Sequence, residues 1–210
     1  MTYGPKLCVE DAGDIDIGIP GRSVQHIKQS KYLGSIVSDD LSLDLDITER
    51  IAQAGKCFGA LKEAVFQSPH VTSETKNMLF QSTVLSVLLY GSSSWAVTRR
   101  DITRLVTFTN QCQRFMLGIH KFKQQSERIT SNDIRHKLGN LETAEDSLMA
   151  QRLRWLGHLE RMEDHRLPRQ LLHAWLPSTR PAHVVRLRWK DRIVKDLKMV
   201  GLTSTWSQRT

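Results

Sequence analysis

No apolar stretch in this chain of 210 residues approaches the ~18 consecutive residues of a membrane-spanning helix. The densest, Val84 to Tyr90, is broken by Ser86. The opening residues, Met1-Thr2-Tyr3-Gly4-Pro5, lack the basic start and apolar run of a secretory leader. Cysteine is scarce: Cys8, Cys57 and Cys112 are far apart, odd in number and form no Cys-x-x-Cys. Neither a disulfide framework nor a zinc site is expected, and an intracellular, reducing setting (nucleus or cytoplasm) is. The histidines show no ligand spacing, which argues further against zinc. There is no Gly-rich phosphate loop, no Gly-x-Ser-x-Gly and no Cys/His pair in a telling context. Without a set of residues for acid–base, nucleophilic or metal chemistry, the chain reads as one that binds.

Positive charge is what it has, and in one half only. Residues 1–100 carry ten Lys+Arg against eleven Asp+Glu, whereas residues 101–210 carry twenty against eleven, so the second half holds the whole excess of +8. Such asymmetry points to a polyanionic partner, nucleic acid first and an acidic membrane surface second. A basic face that is merely solvated is the plainer alternative. With 40% hydrophobic and 25% charged residues, the composition suits one large or two small globular units.

The stretch Arg152 to Met162 concentrates this charge. At 100° per residue, Leu148, Met149, Leu153, Trp155, Leu156, Leu159 and Met162 fall within about half of a helix circumference. Arg154 and Arg161 fall in the opposite half, flanked by Gln151 and His158. Arg152 lands inside the apolar arc, so it needs an acidic or phosphate partner or must snorkel its head to water. A place on the margin of the stripe, paired with a local Glu, is the simpler reading. The letters Arg-Leu-Arg-Trp return at Arg186-Leu187-Arg188-Trp189. Trp155 and Trp189 both lie on apolar stripes, which favours core positions over platforms for base stacking.

Along the chain, the first forty residues or so read as β. Ile15, Ile17 and Ile19 alternate with polar residues or Gly, Pro20-Gly21 suits a type II turn, and Arg22 to Lys28 would return as a second arm. A third strand is expected over Tyr32 to Val37, with Gly34 marking a bulge or a close approach of backbone to a ligand. From Ser42 the period becomes helical: Ile47, Ile51, Ala54, Phe58, Leu61 and Val65, with Asp44 or Asp46 placed to cap and Glu49 near the positive end of the dipole. A second helix starts near Thr72 or Ser73 and stops at Gly91. A third runs from Asp101 to Gly118, with Cys112 on its stripe as a core residue rather than a nucleophile. Lys121 to Thr130 reads as a polar connector. Ser131 is placed to cap a short helix ending at Gly139, and Thr143 with Asp146 to form a capping box for the basic helix. Pro168 opens another short helix through Trp175. Pro177 to Pro181 is a linker, and Trp189, Ile193, Leu197 and Val200 stripe a last helix closed by Gly201.

Asp39-Asp40 superficially matches the paired aspartates with which polymerases hold two metals, but it closes one strand and leads to a helix, a loop-and-cap setting. No metal or other cofactor is expected in this chain.

Lys31-Tyr32-Leu33-Gly34-Ser35-Ile36-Val37-Ser38-Asp39-Asp40 resembles the segment that ends the palm of reverse transcriptases from non-LTR, LINE-type retrotransposons. Ile51-Ala52-Gln53-Ala54, then Leu89-Tyr90-Gly91-Ser92 with Trp95, resemble the thumb and the region after it. Arg114-Phe115-Met116-Leu117-Gly118-Ile119, Leu153-Arg154-Trp155-Leu156-Gly157-His158, Arg166-Leu167-Pro168-Arg169 and Arg188-Trp189-Lys190-Asp191 continue the order over nearly the whole chain. The likeness is closest to endonuclease–reverse transcriptases with an apurinic-like nuclease.

The resemblance implies a mostly α, α+β fold: a small antiparallel hairpin or three-strand piece over 1–41, a thumb-like helical region over 42–120 and a basic helical region over 121–210. It implies that Tyr32, Leu33 and Gly34 act as a primer grip. It further implies that Arg152, Arg154, Arg161, Arg166, Arg169, Arg186, Arg188, Lys190, Arg192 and Lys195 hold element RNA or target DNA through phosphates. The nuclease, the fingers and the metal-binding aspartates of the palm would lie before Met1, together with the Mg²⁺ they use. The chain is thus expected to be a non-catalytic fragment, a decayed copy or partial gene product, whose partners are RNA or DNA and the missing polymerase core, with no membrane or small-molecule substrate. A host-reused protein-interaction module and an inactive remnant are the competing readings. Proteolysis is expected to spare the residues from about Ser42 onward.

Overall fold

The computed structural model describes residues 27–139, 142–174 and 187–202, and the backbone of 14–16 and 23–25. The Pro20-Gly21 turn, Trp175, the Pro177 to Pro181 linker and Arg186 lie outside the described residues. The fold is α+β and mostly α, with a small antiparallel β piece ahead of the helices.

That β piece is two separate hairpins. β1 (Asp14–Asp16) pairs antiparallel with β2 (Ser23–Gln25), with Ile15 opposite Val24. β3 (Gln29–Tyr32) pairs with β4 (Ser35–Ser38), with Tyr32 opposite Ser35. The strand expected over Tyr32 to Val37 is therefore a hairpin bend. Leu33 (φ 46°) and Gly34 (φ 89°) both take left-handed backbone, the pattern of a two-residue turn whose twist matches its strands. Gly34 supplies a turn, not a bulge.

α1 (Asp44–Leu61) begins without a side-chain cap, and runs into a π-helical turn at Lys62–Phe66. The wider turn inserts an extra residue, so the stripe ends on Phe66, fully buried, instead of Val65. α2 (Ser73–Leu79), capped by Thr72, continues through a second π-helical segment, Phe80–Leu85, into α3 (Ser86–Leu88). Phe58 stacks on Phe66 with centroids 4.6 Å apart and meets Phe80 and Phe115 edge-on at 6.5 and 5.7 Å. Both π-helical segments thus deliver a Phe to one aromatic cluster.

α4 (Arg99–Met116) starts two residues before the expected Asp101, because Thr98 caps it and Asp101 closes the capping box from the third position. Lys121–Ser126 is a short helix, α5, where a connector was expected; its Phe122 is exposed, so no buried stripe announced it. α6 (Ser131–Lys137) is capped by Thr130 with Asp133, one residue ahead of the expected Ser131. α7 (Ala144–Glu160) has the expected Thr143–Asp146 box. α8 (Leu167–His173) holds Pro168 in its first turn, and α9 (Trp189–Met199) ends at Gly201 (φ 77°).

One apolar cluster runs from Ile47 through Val84, Leu105 and Leu138 to Leu148. A smaller one joins Leu156 and Leu159 of α7 to Leu172 of α8 and Ile193 and Leu197 of α9. α7 contributes to both. Among the described residues no helix is long and apolar enough to cross a membrane.

Candidate nucleic-acid interface

The turn residues Tyr32 and Leu33 are 69% and 74% exposed, on a mount built from behind. Arg50 donates to the carbonyl of Gly34 at 2.5 Å, and the Tyr90 hydroxyl donates to that of Leu33 at 3.2 Å. The Arg50 guanidinium lies 4.5 Å over the Tyr90 ring. Asp46, buried, accepts from the Ile36 amide and from the Trp95 indole, each at 3.0 Å, and pairs with Arg50 at 3.8 Å. Asp46 is therefore a tie between hairpin, helix and loop and not a cap, and α1 opens instead with the Asp44 amide donating to the Ser42 hydroxyl. Asp46, Arg50, Tyr90 and Trp95 were missed as a group by sequence reasoning. The one available signal was the acid–base spacing of Asp46 and Arg50 on a helix.

Asp40 is also spoken for. Its carboxylate accepts from the Ser38 hydroxyl at 2.5 Å and the Ser42 amide at 2.8 Å, bonds that hold its pKa below the usual carboxylate value. Among the described residues no three His, Cys, Asp or Glu side chains converge as a metal site. Cys112 is buried in α4, and burial pushes its thiol up to about 12, a setting for packing and not for nucleophilic attack.

The basic residues divide. On α7, Arg154, His158 and Arg161 are exposed, and Trp155 stands beside them at 36% exposure. The Trp155 and His158 rings are 5.2 Å apart and tilted by 37°. At 100° per residue these four span about 120° of the helix, an arc that holds no carboxylate from Ser147 to Met162. Gly157 leaves room for Arg161 to fold back, since a Cβ there would stand 3.2 Å from its Nη1. Trp155 is thus not the core residue its place on the stripe suggested. α8 and α9 cover the Leu156–Leu159 side of α7, and Trp155 lies at the edge of the covered arc.

The other arginines are largely committed. Arg152 is buried and donates from Nε and Nη2 to Asp196 at 2.7 and 3.1 Å, so it faces neither solvent nor a local Glu. Its expected role in holding phosphates is not available to that side chain. Arg169 pairs with Asp164 at 2.7 Å and donates to the carbonyls of Leu159 and Glu160, closing the end of α7. Arg188 pairs with Asp191 at 2.9 Å, which raises its pKa, and Arg192 donates to the Val97 carbonyl at 2.9 Å. Lys190 is half-buried, and burial followed by the neighbouring Arg188 lowers its pKa. Arg166 and Lys195 are exposed. Arg192 and Lys195 share their cleft with Glu145, Asp146 and Asp196, so its charge is mixed. The carboxylate-free surface is therefore narrower than the sequence suggested and centres on α7.

The segment from Leu89 to Thr98 joins the parts. Gly91 (φ 75°) turns the chain, the Ser92 hydroxyl donates to Gln151 of α7 at 2.6 Å, and Trp95 reaches Asp46. From α9, the Trp189 indole donates to the Ser93 carbonyl at 2.7 Å and Arg192 to that of Val97. The two Arg-Leu-Arg-Trp stretches therefore do different work: one Trp is out on a basic face, the other is an anchor.

The chain is similar to a transposon-derived protein. This relative, an uncharacterized protein of Caenorhabditis elegans, is 25% identical over 192 residues, which cover 89% of the chain and 67% of the relative. No family model matches the chain, and no solved structure matches it.

Proposed function

We propose that this chain is the end-of-palm, thumb and following region of a non-LTR retrotransposon reverse transcriptase, and that it holds nucleic acid without making bonds. The observation that carries the reading is the carboxylate-free face of α7, where Arg154, His158 and Arg161 stand exposed with Trp155. Such cations release counterions from a phosphate backbone, and an exposed indole offers a face for an unpaired base. The transposon-derived relative and the mounted Tyr32-Leu33-Gly34 turn, which would face a primer end, support the same origin. In this reading polymerisation and its Mg²⁺ belong to the polymerase core that would precede Met1.

The test is a salt-titrated binding assay of the purified chain with RNA and with duplex DNA. Affinity that falls linearly in log K against log salt is expected; absence of binding at low salt overturns the reading. Primer extension by the chain with template, dNTPs and Mg²⁺ would overturn the non-catalytic part. A second reading, a host-reused protein-interaction module, is favoured by Leu167 and Leu171, one turn apart on α8 and 64% and 62% exposed.

A further inference from the structure

An open cleft of about 1010 Å³ lies between the loop after the first π-helical turn, the start of α2 and the C-terminal end of α4. Lys76, Arg114 and His120 line it, and no carboxylate does. Lys76 is only 9% exposed. None of these three side chains has a hydrogen-bond or ion-pair partner among the described residues. The rest of this helical core settles its buried cations otherwise: Arg152 has Asp196, and Arg50 has Asp46 and two backbone or hydroxyl oxygens. The stem of Lys76 is packed away while its ammonium keeps contact with the open cleft, so the charge is presented there. The acids nearest in sequence, Glu74 and Glu127, line no part of the cleft.

We propose that the cleft is a binding site for a phosphate-bearing ligand, held by Lys76 and Arg114 with His120 beside them. A guanidinium engages two oxygens of one phosphate, while an ammonium acts as a point charge on a third. Gln67, Gln111 and Ser73 line the same space and add neutral donors. Its volume exceeds that of one phosphate and suits an oligophosphate, or a phosphate that is part of a larger molecule. The source is either a free phosphate compound or a phosphate of a nucleic-acid backbone. No residue of the α7 face lines the cleft, so the site stands or falls apart from the function proposed above.

The experiment is calorimetric titration of the full chain with sodium tripolyphosphate at fixed ionic strength. Saturable binding is expected, with Lys76→Met weakening it roughly tenfold or more while leaving the melting temperature unchanged or higher. Arg114→Gln, at a half-buried position, carries the same expectation and covers the case in which the Lys76 variant does not fold. No saturable binding, or affinity in both variants equal to that of the unaltered chain, overturns the site. A short single-stranded oligonucleotide then identifies the source. Displacement of tripolyphosphate assigns the cleft to backbone phosphates, and coexistence of the two assigns it to a free phosphate compound.

Discussion

Arg152 and Asp196, 44 positions apart in the chain, form a two-bonded ion pair with side chains 2% and 5% exposed. It stands where α7 passes from the larger apolar cluster to the smaller one, and it is the principal polar contact of α9 with that helix. The Nη1 atom of Arg152 keeps no partner, so the pair is held by two bonds of the guanidinium and not by a complete set.

Asp196→Ala is expected to cost about 3–5 kcal/mol, because it strands a buried guanidinium, and Arg152→Ala a similar amount. The double variant Arg152→Met/Asp196→Leu is expected to recover most of that loss. Urea unfolding of the three variants checks this. A double variant no more stable than either single one would show that the pair does more than neutralise itself.

Asp46→Ala removes the acceptor shared by Ile36 and Trp95 and leaves Arg50 without its carboxylate. A loss of about 3 kcal/mol or more is expected, with faster proteolytic cutting between residues 27 and 41. In the unaltered chain these ties should protect the β3–β4 hairpin. Equal cutting rates in both proteins would mean that the hairpin is not held this way in solution.

For nucleic-acid binding, Arg154→Ala and Arg161→Ala should each flatten the salt dependence by about one phosphate contact. Arg169→Ala and Arg188→Ala, whose side chains are engaged with Asp164 and Asp191, should leave the slope alone. Trp155→Ala should weaken single-stranded RNA by roughly 1–3 kcal/mol and leave duplex DNA nearly unchanged. The same loss on both nucleic acids would assign the indole a role in packing.

Cys112 offers a pH test. Its thiol is raised by burial from 9.0 to about 12, so the folded state holds that proton more tightly than the unfolded one. The contribution to stability is full below pH 9 and is lost as pH climbs toward 12. With Cys8 and Cys57 replaced by Ser, the remaining thiol should resist a disulfide reagent at pH 8 until denaturant is added. Rapid labelling of the native protein would contradict its burial.

Where a local rule decided the outcome, the sequence could be read directly. Thr143 and Asp146 opened α7, Pro168 sat in the first turn of α8, and Gly118 and Gly201 followed helices in left-handed backbone (φ 64° and 77°). The bend at Leu33-Gly34 was hidden because its first residue is a Leu in a conformation that side chains rarely adopt. The π-helical turns were hidden because an inserted residue shifts a stripe without breaking it. Composition said that Arg152 needed a carboxylate, but only the fold could choose Asp196. For Trp155 the wheel gave the angle correctly. Whether an edge position is covered depends on the width of the neighbouring helices, which no single-helix pattern contains.

The four bonds that gather at Ser92, Ser93, Trp95 and Val97 come from α1, α7 and α9, elements drawn from opposite ends of the described chain. Severing the polypeptide between α4 and α7 would leave this clasp uncut, with one portion owning the loop and Asp46 of α1 and the other owning the three groups of α7 and α9 that seize it. The halves, produced as separate polypeptides, should reassemble when mixed, and a reporter divided between them would light only when that loop is intact.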